Sequence, residues 1–244
     1  FCLSRGLGDV YKRQPQGGVI SPLLANIALH GMEADLRKAY TEREGKPALI
    51  RYADDFVVLH PTQAGVEKAK QIVETWLAKM GLELKESKTR LTHTLEGEAG
   101  FDLLGFHVRQ YRVGQAHTGR NTRGVPLGFK TLIKPAPESI KRHMADLKRL
   151  VRAHRATSQE ELINDLNPVI VGWANYYRTV VAKEIFSRCD HLLNGLLQRW
   201  GLHRHPNKRK RWMIGKYWAV DQGEGWTFKA QDGSTLKEHR TTPI

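Results

Sequence analysis

The segment Leu49-Ile50-Arg51-Tyr52-Ala53-Asp54-Asp55-Phe56-Val57-Val58-Leu59 constrains this chain more than any other. Strand-forming residues on both sides of two adjacent carboxylates predict a β-hairpin with a short polar loop. Its tip presents hard oxygen ligands of the kind Mg²⁺ prefers, and two such ions about 4 Å apart can clamp the attacking and leaving oxygens of a phosphoryl transfer. Taken alone, an Asp pair between strands is also the composition of a solvated turn. The rest of the chain has to decide.

Charge is the second bound. A formal +14 and a sequence pI near 9.9 over 244 residues imply a polyanionic partner. Nucleic acid comes before acidic lipid, because no basic amphipathic membrane helix stands out. No apolar run approaches the ~18 residues of a membrane span. The charge is uneven: residues 137–217 hold sixteen Lys or Arg against seven Asp or Glu, which marks that section as the phosphate grip. Of the two cysteines, Cys2 and Cys189, the first lies in a stretch that resembles no folded segment, and the lone second points to a reducing, intracellular setting. His203 and His205 have no Cys or carboxylate at ligand spacing and read as solvated or phosphate-facing.

The organisation reads as α+β. Residues 1–14 have neither amphipathic period nor signal-peptide form, and Asp9-Val10-Tyr11-Lys12-Arg13-Gln14 looks like a translated sequencing-adapter scar; the alternative is a native basic arm. Over 15–112 short β-like runs alternate with helical patterns. Residues 113–136 form a Gly- and Pro-rich basic connector that reads as a loop or loose hairpin. Residues 137–217 read as almost pure helix, and 218–244 as a tail that ends abruptly.

Within the first part, Ser21-Pro22 offers an N-cap and a first-turn proline, with Leu23, Leu24, Ile27 and Ala28 on one helical face. Gln16-Gly17-Gly18 is then a tight loop whose glycines let backbone approach a base pair or phosphate. Val66, Ala69, Ile72, Val73, Trp76, Leu77 and Met80, stopped by Gly81, describe a helix packed on a sheet.

In the second part Ile140, Met144, Leu147 and Val151 form an apolar stripe, while Lys141, Arg142, Lys148, Arg149, Arg152 and Arg155 occupy other faces. Ser158 with Glu161 makes a capping box, Asn167-Pro168 reads as the start of another helix, and Ile185 to Trp200 fill a fourth of about four turns. Trp173, Tyr176 and Tyr177 either bury in the bundle or stack on RNA bases. Lys208-Arg209-Lys210-Arg211, before Trp212, is the densest charge run, and RNA backbone contact is preferred to a plain solvated face.

Several segments together are similar to the ordered motifs of the bacterial group II intron-encoded reverse transcriptase/maturase family. They are Pro15-Gln16-Gly17-Gly18-Val19-Ile20-Ser21-Pro22-Leu23-Leu24-Ala25-Asn26, Tyr52-Ala53-Asp54-Asp55, Gly81-Leu82 through Lys88-Thr89, and Leu103-Leu104-Gly105-Phe106. Asn167-Pro168 followed by Gly172-Trp173-Ala174-Asn175-Tyr176-Tyr177 resembles the maturase, or thumb, region of the same family. The resemblance implies a partial palm, an antiparallel sheet with packed helices, followed by a helical thumb.

It also implies roles. Asp54 becomes the firmer catalytic metal ligand and Asp55 the supporting one. Tyr52 packs near the primer end, and Gln16, Gly17, Gly18, Tyr52 and Ala53 belong to the set that meets template and incoming nucleotide. Lys88 lies on the nucleotide side and could offset phosphate charge. Leu104-Gly105-Phe106 corresponds to the primer grip, although core packing suits Leu104 and Phe106 better.

The implied cofactors are Mg²⁺ in a two-ion site and dNTP substrates. The implied partners are group II intron RNA and an RNA template with a DNA primer or target, with a homodimer left open for the intact form and no membrane. The alternative is a noncatalytic RNA-binding splicing cofactor. The family's third carboxylate and basic fingers residues match nothing in this chain. The expected consequences are no primer extension by the 244-residue chain and a raw sheet edge prone to aggregation.

Overall fold

A computed structural model describes residues 2–5, 20–97, 100–221 and 225–243, with backbone alone at 2–5, 21, 22 and 221. Two compact units divide at 132/133.

In the first unit, β2 (Ala48–Tyr52) and β3 (Asp55–Leu59) pair antiparallel with Tyr52 opposite Asp55. The Asp-Asp hairpin therefore closes through the two residues Ala53 and Asp54. On the other side of β3, β1 (Cys2–Arg5) pairs antiparallel with both β3 and β4 (Arg90–Thr92), giving the order β2-β3-β1-β4. The expected raw edge beside β3 is thus corrected: β1 satisfies the strand's hydrogen bonds there.

α3 (Gln63–Ala78) starts where the Thr62 hydroxyl accepts the Gly65 N–H at 3.1 Å and is followed by Gly81 at φ +68°. Val66, Ala69, Val73, Trp76 and Leu77 are buried with Phe56 and Val58, and with Met32 and Leu36 of α2 (Met32–Lys38), in one core. Each such side chain contributes roughly 1.5–3 kcal/mol. Met80 is exposed. α1 (Ser21–Ala28) departs from expectation twice: its cap position falls on Ile20, with Ser21 already helical, and Leu23, Leu24 and Ile27 are exposed.

A tight junction lies at the start of α3. The Tyr40 hydroxyl donates to the Gly65 carbonyl at 2.5 Å, and the buried His60 ring, hydrogen-bonded to the Gly45 carbonyl at 3.0 Å, covers Gly65. A Cβ at position 65 would sit 1.9 Å from His60 Nδ1. Gly65→Ala is expected to cost about 2–3 kcal/mol by evicting that ring, seen as a lower urea midpoint; an unchanged midpoint would show that the ring swings away freely.

The second sheet runs β5 (Phe101–Leu103), β6 (Phe106–Arg112), β7 (Phe129–Pro135). Val57 and Phe101 form a small core with Leu59, Leu103 and Val108. The stretch expected as a connector is a hairpin: Arg120 bridges Pro126, the Asn121 side chain accepts the N–H groups of Arg123 and Val125 at 3.0 and 2.9 Å, and from Phe129 the chain is strand.

The second unit contains α4 (Pro137–Ala153), α5 (Gln159–Tyr177), α6 (Lys183–Arg204), α7 (Lys210–Tyr217) and the hairpin β8 (Trp218–Asp221) with β9 (Gly225–Phe228). Ser158 caps α5 by accepting the Glu161 N–H at 3.2 Å. Asn167-Pro168 does not begin a helix, because Pro168 lies inside α5. An interior proline costs about 3 kcal/mol, and the burial of Leu162, Ile163, Leu166 and Ile170 on both sides offsets it. Asn167 instead bonds the Thr235 carbonyl and the Lys237 N–H, at 2.9 and 2.8 Å. α6 is longer than expected, 22 residues or about six turns. The tail is integral to the core: Trp218, Phe228 and Ala230 pack with Leu147, Leu166, Leu197 and Trp200.

Candidate active site and nucleic-acid interface

The carboxylate pair sits at the turn of the β2–β3 hairpin. Ala53 holds φ +52°, a left-handed conformation costing a non-glycine residue about 1–2 kcal/mol. Arg51 stabilises it. Its Nη1 donates to the Ala53 carbonyl at 3.0 Å and to Asn26 Oδ1 on α1 at 2.9 Å. Asp54 is exposed and Asp55 half-buried. Burial, then the adjacent Asp54 carboxylate, push the Asp55 carboxyl above its ordinary range, and the Lys88 ammonium pulls it partly back. Lys88, at the end of the 3-10 turn Glu86–Lys88, therefore shares the field of the pair. Tyr52 is exposed beside it.

A second two-residue turn joins β5 to β6. Leu103 faces Phe106, and Leu104 and Gly105 both have positive φ, +51° and +79°, the signature of a type I′ turn. Leu104 is exposed, contrary to the core packing expected of it, because the turn points it away from the sheet core; Phe106 is half-buried.

In the second unit, Arg142, Arg149 and Arg152 are exposed on α4, with Arg149 paired to Asp146 at 3.2 Å. The α5 aromatics divide. Tyr177 is buried with its hydroxyl 2.6 Å from Ser139 Oγ, Trp173 stacks on His143 with ring centroids 4.4 Å apart, and Tyr176 is exposed. Arg209 takes the cap position of α7, and Lys210 and Arg211 its first turn, with no acidic residue there. Cations at a helix N-terminus oppose the helix dipole. Lys208 and Lys216 each lie 5.3 Å from the centre of the Trp212 ring.

The comparisons fit this geometry. A family model described as "Reverse transcriptase (RNA-dependent DNA polymerase)" matches residues 8–108, and one described as "Group II intron, maturase-specific domain" matches residues 140–218. The chain belongs to the group II intron reverse transcriptase/maturase family. "Group II intron-encoded protein LtrA" of Lactococcus lactis subsp. cremoris is 24% identical over 239 residues, covering 68% of this chain and 39% of the relative. "Protein YkfC" of Escherichia coli (strain K12) is 33% identical over 127 residues, covering 40% of this chain and 32% of that protein. The chain thus spans 39% and 32% of the lengths of these relatives.

The reverse transcriptase match contains the hairpin, Lys88 and the Leu104-Gly105 turn; Gln16, Gly17 and Gly18 lie outside the described residues. Asp54 and Asp55 suit Mg²⁺, which binds through one or two carboxylates and completes its shell with water and phosphate. Asp55 is raised first by burial and second by the adjacent Asp54 carboxylate, and a cation between the two would offset the second of these. Among the described residues no group of three or more His, Cys, Asp or Glu could hold a metal, and no helix is long and apolar enough to cross a membrane.

Two features have no local signal in the sequence: the Arg51–Asn26 clamp and a buried histidine pair. His143 and His239 meet Nε2 to Nε2 at 2.7 Å, and His239 Nδ1 donates to Asp190 Oδ1 at 2.5 Å. The Asp190 carboxylate also accepts the backbone N–H groups of His239 and Arg240, at 2.9 and 3.0 Å. His205, expected to be solvated or phosphate-facing, bonds the Tyr217 hydroxyl at 2.7 Å. Cys189 is buried and unpaired, and burial pushes its thiol up to about 11, which makes it inert packing.

Proposed function

We propose that this chain carries the palm and thumb of a group II intron-encoded, RNA-directed DNA polymerase that also binds its intron RNA for splicing and mobility. The observation that carries the reading is the Asp54-Asp55 turn with Lys88 in its field, in the same chain as a basic helical unit. Asp54 and Asp55 hold Mg²⁺, which when bound neutralises charge on the transferred phosphate and favours ionisation of the primer 3′-hydroxyl. Arg51 keeps the turn in its strained form, so the carboxylates are pre-positioned. Lys88 offsets phosphate charge on the dNTP. Leu104, Gly105 and Phe106 grip the primer, and Gln16, Gly17 and Gly18 meet template and nucleotide. RNA template, DNA primer and intron RNA are the partners.

A third carboxylate completes the two-ion site in this reading. None joins Asp54 and Asp55 among the described residues. The 244-residue chain with Mg²⁺, dNTPs and a primed RNA template is therefore expected to give no extension product on a sequencing gel; templated extension would overturn the incomplete-site reading. A second reading, an RNA-binding splicing cofactor without chemistry, rests on the basic helical unit and its match to the maturase-specific domain alone.

Both readings require RNA binding. Neutralising Lys208, Arg209, Lys210 and Arg211 to Gln is expected to lower RNA affinity and flatten its dependence on salt, by roughly one in log–log slope for each phosphate no longer neutralised. Filter binding from low to moderate salt checks this, and an unchanged slope removes the run from the interface.

A further inference from the structure

Arg51 stands beside the Asp54-Asp55 turn and holds neither carboxylate. The Ala53 carbonyl that its Nη1 reaches at 3.0 Å belongs to the peptide that joins Ala53 to Asp54, so the guanidinium lies next to an exposed carboxylate-bearing residue. Asp55 is placed differently. It faces Tyr52 across the hairpin, whereas Arg51 faces Phe56, and successive residues of a strand point to opposite faces. Asp54 is therefore the carboxylate within reach of Arg51. Among the described residues no ion pair joins Arg51 to either aspartate.

Electrostatics alone favours such a pair, because a guanidinium fork matches a carboxylate with two parallel N–H bonds. Asn26 prevents it. The same Nη1 that bonds the Ala53 carbonyl also donates to Asn26 Oδ1 on α1, at 2.9 Å. An Arg Nη carries two hydrogens, and both are occupied by neutral oxygens, one from the turn and one from the helix. An exposed ion pair is a weak alternative to two hydrogen bonds from a charged donor. With one acceptor removed, the balance tips toward Asp54.

The consequence falls on the metal. A divalent ion and a guanidinium seek the same carboxylate oxygens, so a guanidinium settled on Asp54 competes with the ion. A neutral amide at position 26 holds Arg51 without adding a carboxylate that would itself draw the ion away. We infer that Asn26 is a positioning residue that holds the Arg51 guanidinium off the Asp54 carboxylate, keeping that carboxylate open to a divalent cation. The inference rests on the metal-binding reading of the turn and adds to it what keeps the protein's own cation from taking the metal's place.

The test uses the full chain, uniformly isotope-labelled, and Mn²⁺ alone. Paramagnetic broadening of the Asp54 and Asp55 amide signals during titration gives the affinity at the turn, and its loss in Asp54→Asn identifies the site. Asn26→Ala is expected to bind Mn²⁺ about fivefold more weakly, the factor that an exposed ion pair supplies as a competitor. Asn26→Ala combined with Arg51→Gln is expected to bind at least about twofold tighter than Asn26→Ala alone, because the competitor is gone. A residue that merely braced the turn gives no such recovery, since the second substitution also removes the bond to the Ala53 carbonyl. Unchanged affinity in Asn26→Ala, or a double variant no tighter than the single one, would overturn the inference and leave the metal reading intact. No broadening in the unvaried chain, or broadening that survives Asp54→Asn, would overturn both. Helix α1 should tolerate the change, because Asn26 is exposed and alanine is the best helix former. Should Asn26→Ala lose its cooperative melt, Asn26→Leu, of similar size and without the acceptor, carries the same two expectations and the same refutations.

Discussion

Asp54→Asn, in any form of this protein that extends a primer on RNA, is expected to slow nucleotide addition at least about a thousandfold while leaving duplex affinity within about twofold. The amide keeps the shape of the side chain and loses the charge that ligates a hard cation. Metal-ion stabilisation of a phosphoryl transfer is worth several kcal/mol, and about 4 kcal/mol corresponds to ~10³ in rate. The fold should survive, because Asp54 is exposed at the turn and the bond that stabilises the turn runs from Arg51 to the Ala53 carbonyl. Asp55→Asn should slow addition less, as befits the supporting ligand. It should also raise the thermal midpoint of the metal-free chain at neutral pH, since burial and Asp54 already disfavour the ionised Asp55. Single-turnover extension separates the two variants, and a loss below tenfold for Asp54→Asn would remove it from the metal site.

Stability of the helical unit is expected to fall as pH drops from about 6.5 to about 4, by as much as about 3 kcal/mol. Burial, then the neighbouring His239, hold His143 down at about 4 against an ordinary 6.5, and Asp146 opposes them weakly. The unfolded chain therefore takes up a proton in that window that the folded chain refuses. The stabilisation is complete above 6.5, declines through the window and is lost below 4. With His239 Nδ1–H given to Asp190, His239 Nε2 is the acceptor and His143 Nε2–H the donor, so a second proton must enter a ring stacked on Trp173. Urea unfolding between about pH 7.5 and 4 measures the slope. His143→Gln should remove most of it, and an unchanged slope in that variant would place the titration elsewhere.

What the sequence makes legible is local. The Asp-Asp hairpin is written in neighbouring residues, a turn between two strand-forming runs, and so are α3 with its Gly81 stop and the Ser158 cap. Proline at 168 misleads because local propensity says "helix start", whereas Leu166 and Ile170, buried on either side, carry α5 straight through it. The tail reads as shapeless because its partners are distant: His239 meets Asp190 across 49 residues and His143 across 96, and no periodicity encodes such pairs. Strand β1 escapes for a similar reason, its pairing with β3 and β4 being wholly non-local. At the candidate site, motif order singles out the carboxylates and Lys88 for the roles proposed. The Arg51–Asn26 bond is not legible, since nothing in either residue's surroundings ties it to the other.

The central claim is that the Asp54-Asp55 turn is where divalent cations meet the primer end. Anomalous diffraction from the protein with a primed RNA template, Mn²⁺ and a nonreactive dNTP analogue tests it most directly. A peak within about 2–2.5 Å of an Asp54 carboxylate oxygen, beside the primer terminus, is the result expected; Asp54 and Asp55 turned away from the duplex, with the cation peaks elsewhere, would contradict it.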